Sequence, residues 1–402
     1  MQAIVLAAGE GSRMRPLTRS RPKVMLPVGG IPLLEEILTR AKSAGVDDFV
    51  LVVGYCQEAV RAHFGDGSAF GFRIRYAYQE EQRGTGHALA VSEDLAQERF
   101  LVLNGDILPD LAALREMAKA GEPAVSAFRV ADPCRYGVFL IRDGMLESVV
   151  EKCDDPPTDL ANAGIYLLDR RIFGALQSVP LSSRGEYELT DALNALVRAG
   201  ARMKVQELQE WIEVGRPWDI LTASASVLAC RSFEVDGVVE AGAYLGGQVH
   251  VGSGTVVRSG SYIEGPVWIG RDCDIGPNCY IRSGTCLGDR VRVGNAVEVK
   301  NSTVMDGTKI GHLSYIGDSV IGSGCNFGAG TIVSNLRHDD RPVPSFVKGE
   351  RVDSGRRKLG VIMGDDVKTG IHTTIYPGTV IEAGFRSRPG EVLRGYLRSP
   401  QL

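Results

Sequence analysis

From Val239 onward an aliphatic residue returns at every sixth position: Val239, Leu245, Val251, Val257, Ile263, Ile269, Ile275, Ile281, Leu287, Val293 and Val299. Glycine often follows it, as at Gly252, Gly270, Gly276, Gly288 and Gly294. A hexapeptide repeat of this kind predicts a parallel β-helix, in which each short strand forms one side of a coil. The phase slips near Met305–Ile310, resumes at Ile316 and stops at Asn335. A cation-rich insertion over 336–359 follows, and the rhythm returns at Met363, Thr369, Ile375 and Ile381. Loops this long inside a solenoid usually carry function. The coil is expected over 239–385, with a tail over 386–402.

Residues 1–225 have a different rhythm. Short β-branched or apolar runs (Ala3–Leu6, Asp48–Val53, Arg73–Ala77, Phe100–Leu103, Ala124–Phe128) alternate with helical patterns such as Leu33–Ala44 and Gln57–Phe64. Alternation of this kind predicts a mostly parallel sheet covered on both faces, which binds ligands outside the carboxyl ends of its strands. Gly9, Gly54 and Asn104-Gly105-Asp106 fall at those ends, and 226–238 reads as a linker.

Composition narrows the function classes. The 402 residues carry 45 basic and 49 acidic side chains, a formal charge of −4, with no basic stripe interleaved with aromatics, so nucleic acid is not an expected partner. The N-terminal apolar run is too short for a signal peptide or a membrane span, and a cytoplasmic, membrane-free protein is expected. Eight cysteines are scattered with no Cys-x-x-Cys pair, and six histidines are equally dispersed. They read as reduced thiols and not as a zinc site.

The chemistry-bearing segment of the first half is Leu6-Ala7-Ala8-Gly9-Glu-Gly11-Ser-Arg13-Met14-Arg15, followed by Pro22-Lys23. Glycines let backbone N–H groups cradle phosphate oxygens. Met14 stands where a dinucleotide fingerprint needs its third glycine, and cations follow the turn, so a whole nucleoside triphosphate fits better. Arg13, Arg15 and Lys23 supply the charge a polyphosphate leaving group needs. Gln79 both donates and accepts, as a pyrimidine edge requires, and Gly84-Thr85 offers exposed backbone. Asp106 alone reads as a turn residue capping a strand end. In the coil, His312 and Tyr315 share one corner, and Asn326 to Asn335 follow one coil later. Arg282 and Lys300 lie eighteen residues apart, so they should stack on one wall and make a phosphate site.

With these motifs, residues 1–225 resemble the sugar-phosphate nucleotidylyltransferases, and Gln79 to Leu89 looks most like the N-acetylglucosamine-1-phosphate uridylyltransferases. The coil resembles the acetyltransferase domain of bifunctional glucosamine-1-phosphate acetyltransferase/uridylyltransferases, and its insertion looks like the archaeal form. The resemblance implies an α/β, Rossmann-like nucleotidyltransferase domain followed by a left-handed parallel β-helix. It implies that Leu6, Ala7, Ala8, Gly9, Gly11 and Gly105 wrap the nucleotide, while Gln79, Gly84 and Thr85 read uracil. Arg13 would hold pyrophosphate, and Lys23 would bridge the α-phosphate and the sugar phosphate. Asp106 would hold Mg²⁺, and Gly137, Glu151, Lys152 and Asn162 would bind the sugar phosphate. Relatives carry an aspartate as second metal ligand. Here Glu213 occupies that position, with Asp219 as a substitute. In the coil, His312 would be the general base for the 2-amino group, a task suited to imidazole near neutral pH. Arg282, Lys300, Tyr315 and Asn326 would bind the amino-sugar phosphate, and Ala329, Asn335 and Lys358 would line the acetyl-CoA site. Co-substrates are UTP or dTTP and acetyl-CoA, and the implied assembly is a homotrimer with sites between neighbouring coils. Two rivals remain at this stage: a glucose- or mannose-1-phosphate nucleotidylyltransferase with an assembly-only coil, and a catalytically silent regulatory subunit.

Overall fold

A computed structural model describes residues 1–182 and 184–398, so the last four positions of the expected tail lie outside the described residues. The chain divides into two compact units. One comprises Met1–Glu10, Pro22–Met25 and Leu33–Glu213, and the other Gly11–Arg21, Leu26–Pro32 and Val214–Leu402.

The first unit is built on a nine-stranded sheet. Its strand order is Arg73–Tyr78, Asp48–Val53, Gln2–Leu6, Arg99–Asn104, Leu160–Asp169, Ala124–Arg129, Lys204–Glu207, Met145–Val150, Val138–Arg142. The first four strands run parallel, and Leu160–Asp169 is antiparallel to both neighbours. Asp48–Val53 is buried at every position, as expected of a central parallel strand covered on two faces. Ile4, Val50, Val102, Tyr166 and Leu168 pack with Phe173 and Leu193 in one core, each large apolar side chain contributing roughly 1.5–3 kcal/mol. The carboxyl ends of Gln2–Leu6 and Arg99–Asn104 lie side by side, with Leu6 paired to Asn104.

The second unit is a parallel β-helix of three sheets, with six, eight and eight strands. Ile263, Ile281 and Val299 are Cα partners on successive coils, and all are fully buried. Val239, counted in the repeat, stays 37% exposed because the first coil has no coil before it to cover it. The phase slip begins at the corner after Val299, earlier than Met305. Leu287 pairs with Val304 and Val299 with Ile316, seventeen residues apart in each case, because that corner has lost one residue. Strands Val392–Leu393 and Tyr396–Leu397 add to two of the sheets, with Leu393 buried. The coil thus continues into what the sequence reads as a tail, with glycine turns at Gly390 and Gly395 sustaining it. The expected linker is also partly structured. Residues 226–230 complete a helix, Asp219–Cys230, whose Ile220, Leu221, Val227 and Leu228 are buried.

The insertion over 336–359 closes on itself through an antiparallel bridge between Leu336 and Lys358 and carries a hairpin, Pro344–Val347 with Glu350–Asp353. Two short segments from early in the sequence also belong to this unit. In Gly11–Arg21, Arg19 Nε donates to Glu382 at 2.7 Å, and Arg21 and Ser20 donate to Asp365 at 2.8 and 2.5 Å. In Leu26–Pro32, a Gly29-Gly30 turn with positive φ at both residues sits where a Cβ would meet Val227 or Trp268 at 2.4 and 2.2 Å. Of the eight cysteines, Cys273, Cys279, Cys286 and Cys325 are buried in the coil, and all eight are free thiols. No helix among the described residues is long and apolar enough to cross a membrane.

Candidate active sites

In the first unit the backbone after strand Gln2–Leu6 is held from two sides. Gly105 N–H donates to Leu6 O at 3.0 Å, and Gln82 donates to Ala8 O at 2.9 Å while accepting from Glu10 N–H at 3.3 Å. Gly105 is required there, since a Cβ would lie 2.7 Å from Leu6 O. Lys23 Nζ sits 2.5 Å from Asp106 Oδ2, a half-buried ion pair at the strand end. The strand Ile212–Glu213 pairs antiparallel with Ile107–Leu108 and places Glu213 opposite Ile107, next to Asp106 in the chain. Tyr136 donates to Glu213 at 3.3 Å. Asp219 has a different job: its Oδ2 accepts from the N–H groups of Gly215 and Arg216 at 3.0 and 2.6 Å, holding the turn that leads into helix Asp219–Cys230. Two carboxylates, one of them already carrying a cation, suit a hard dication with oxygen ligands.

Gly137, Glu151 and Asn162 come together beside this strand end. Asn162 N–H donates to Gly137 O at 2.8 Å, and a Cβ on Gly137 would touch Glu151. Asn162 Nδ2 donates at 2.8 Å to the hydroxyl of Tyr166. Burial raises the Tyr166 phenol well above its ordinary pKa, and the charges of Glu151 and Asp106 push it further the same way. Glu151 itself accepts from Thr190 at 2.5 Å and pairs with Arg184 at 3.1 Å. Lys152 is exposed. Gln79 is 3% exposed and spends its amide N–H groups on Gly84 O and His87. Gly84 opens helix Thr85–Ala90 with φ +99, where a Cβ would lie 2.6 Å from Tyr187 O. Gly11 and Arg13 belong to the second unit.

In the coil the expected residues converge on one that sequence reasoning missed, Asp318. Asn335 Nδ2 donates to Asp318 at 2.5 Å and to the Tyr315 hydroxyl at 3.1 Å, and Lys300 Nζ lies 3.6 Å from the same carboxylate. The Lys300 ammonium, by its charge and its hydrogen bond, pulls Lys358 below the ordinary lysine pKa, and the Asp318 charge opposes this. Arg282 lies one coil before Lys300, its N–H donating to Val299 O, but its guanidinium pairs with Glu298 at 2.9 Å. His312 is exposed at the next corner, and its carbonyl accepts from Gly330 N–H, one residue past Ala329. Asn326 is exposed on the following coil, paired with Lys309. Beside Asn335 opens a cleft of about 840 Å³ between the insertion and the coil wall, lined in part by Phe346, Arg351, Tyr376 and Arg394. None of these four stood out in the sequence. The register alone marks two of them, since Tyr376 N–H bonds to Leu393 O and so sets Tyr376 beside Arg394.

A family model described as nucleotidyl transferase matches residues 2–229, and one described as GMPPB C-terminal domain matches residues 263–384. The chain is similar to the bifunctional protein GlmU of Methanocaldococcus jannaschii, 43% identical over 382 residues, covering 95% of this chain and 92% of that protein. It is also similar to the bifunctional sugar-1-phosphate nucleotidylyltransferase/acetyltransferase of Sulfurisphaera tokodaii, 38% identical over 403 residues, covering 98% and 97%. The chain belongs to this bifunctional nucleotidylyltransferase/acetyltransferase family. Among solved structures, a UDP-glucose pyrophosphorylase complexed with UDP-glucose is 25% identical, with a TM-score of 0.52, over 57% of this chain and 99% of that one. As a member of the bifunctional family the protein is a transferase with a nucleotidyltransferase half and an acetyltransferase half, which removes the silent-subunit reading.

Proposed function

We propose that the coil acetylates the amino group of glucosamine-1-phosphate from acetyl-CoA, and that the first half then transfers a uridylyl group from UTP to N-acetylglucosamine-1-phosphate, releasing pyrophosphate. The observation that carries this reading is the polar network around Asp318. An assembly-only coil has no use for a buried carboxylate that gathers Lys300, Asn335 and, through it, Tyr315. His312 is the general base: an ammonium must lose its proton before nitrogen can attack the thioester. Lys300 and Lys358 around one carboxylate leave an excess of positive charge for the sugar phosphate. The cleft beside Asn335 takes the nucleotide end of acetyl-CoA, with rings from Phe346 and Tyr376 and cations from Arg351 and Arg394.

In the first half, an oxygen of the sugar phosphate attacks the α-phosphorus in line. Both reactants are anions, so the work is positioning and charge neutralisation. Asp106 and Glu213 would hold Mg²⁺, which would offset phosphate charge there. Lys23, paired with Asp106 at the strand end, would bring its ammonium to the phosphates. Arg13 takes the pyrophosphate, the backbone from Leu6 to Gly11 the nucleotide, and Glu151 with Asn162 the sugar. A homotrimer built through the coil is part of this reading.

Two reciprocal variants test it. Asp106→Asn should lower uridylyl transfer on the order of a hundredfold or more while acetyl transfer stays at the wild-type rate. His312→Ala should lower acetyl transfer by about 10²–10⁴-fold and leave uridylyl transfer intact. Absence of thiol release from the wild-type protein with acetyl-CoA and glucosamine-1-phosphate would instead favour the assembly-only coil.

A further inference from the structure

The corner that follows strand Tyr315–Gly317 is one residue shorter than the corner after Ile281. So tight a turn puts its central residue in the left-handed region, where Asn and Asp are favoured among non-glycine residues. Asn301 (φ +43) and Asp318 (φ +50) fill it on successive coils. An aspartate used only for its backbone would leave its carboxylate in water. Asp318 is 3% exposed, and both of its oxygens are used. Asn301 Nδ2 donates to Oδ1 at 2.6 Å, and Asn335 Nδ2 donates to Oδ2 at 2.5 Å.

A carboxylate can only accept, so both asparagines must turn their NH₂ groups toward it. Asn335 uses the same NH₂ to donate to the Tyr315 hydroxyl oxygen at 3.1 Å. The phenol accepts there, so its own proton points elsewhere, and the Asn335 carbonyl oxygen is turned away from Asp318. We propose that Asp318 is a positioning residue of the acetyl-transfer site, fixing one hydrogen-bond polarity along Asp318–Asn335–Tyr315 so that Tyr315 offers an O–H donor and Asn335 a carbonyl acceptor to the amino-sugar phosphate. This rests on the acetyl-transfer reading above. A phenolic donor suits a phosphate oxygen, and an amide carbonyl suits an amine or hydroxyl hydrogen. Gly317 supports the assignment independently. A Cβ at that position would lie 2.5 Å from the Tyr315 hydroxyl and 2.6 Å from Asn335 Nδ2, so the contact exists only because the position has no side chain.

The test is a charge-conserving swap, Asp318→Asn with Asn335→Asp, in the full-length protein. The swap keeps volume, net charge and the bond from Asn301, reverses the direction of the bonds between positions 318, 335 and Tyr315, and moves the carboxylate from the residue beside Lys300 to position 335. The amide at 318 donates to the carboxylate at 335, which also accepts the Tyr315 proton, so the phenol has no donor left for the ligand. The expected result is a melting temperature and a uridylyl-transfer rate equal to wild type, with the KM for glucosamine-1-phosphate in acetyl transfer raised at least tenfold. A swapped protein with wild-type KM overturns the proposal. Should the swap fail to fold, Asp318→Asn is compared with Tyr315→Phe and with the double variant. Equal increases in KM that do not compound support a shared polarity, and increases that multiply overturn it. A wild-type protein that consumes no acetyl-CoA with this substrate would defeat the underlying reading, a result told apart because it precedes any variant.

Discussion

Single atoms decide how two of the glycines in this chain are used. Gly105 lets a turn press against Leu6 O, so Gly105→Ala should cost about 1–3 kcal/mol and slow uridylyl transfer, read by melting temperature and pyrophosphate release. Gly317→Ala should abolish acetyl transfer with a smaller loss of stability, because the added methyl displaces side-chain atoms of Tyr315 and Asn335 more than backbone. Glu382 makes a pH prediction. Burial pushes its carboxyl up, but the hydrogen bonds from Arg19 and Tyr396 and the charges of Arg19 and Arg15 outweigh burial and hold it below the ordinary 4.5. A depressed folded pKa means stability that is present above the unfolded value and is lost as pH falls through the folded one. Thermal melts of wild type and Glu382→Gln should therefore differ at neutral pH and converge in acid below that range. At this scale the sequence singled out Lys23 and Asp106 separately, and only the fold sets them against each other as an ion pair. The sequence was illegible where the partner decides. Asp318 looks like an ordinary turn residue until two amides from neighbouring coils are folded onto it, and Gln82 gains its role only when its loop lies against Ala8.

The elements were largely readable because their periods are strong. Hexapeptide spacing located the coil, and continuous apolar runs located the central strands to within a residue or two. The coil's end was misread because glycine ceases to follow the aliphatic residue there, although Leu393 keeps the eighteen-residue interval from Ile375. The different placements of Glu213 and Asp219 were not readable at all, since one rests on a two-residue strand pairing with Ile107–Leu108 and the other on the Gly215 and Arg216 N–H groups. The insertion makes the prediction at this scale. Ile321 pairs directly with Met363 across it, so the coil does not need it to keep register. Replacing residues 337–357 with a short glycine-containing turn should leave a folded coil and full uridylyl transfer. The KM for acetyl-CoA should rise at least tenfold, because Phe346 and Arg351 leave the cleft. Unchanged acetyl-CoA affinity in that variant would place the coenzyme elsewhere.

For the whole molecule, function follows from two halves whose sequences announce different folds and whose relatives share both. The boundary between them is where linear reading fails most, because Gly11–Arg21 and Leu26–Pro32 lie early in the chain yet belong with the coil. Their attachments are particular: Arg19 to Glu382, Arg21 to Asp365, and the Gly29 carbonyl to Arg231 at 2.8 Å. For anyone recombining members of this family, the module border is five chain junctions and not one. A chimaera that takes its coil from a relative and keeps this N-terminal half should melt lower than either parent. Transplanting residues 11–21 and 26–32 along with the coil should recover the loss.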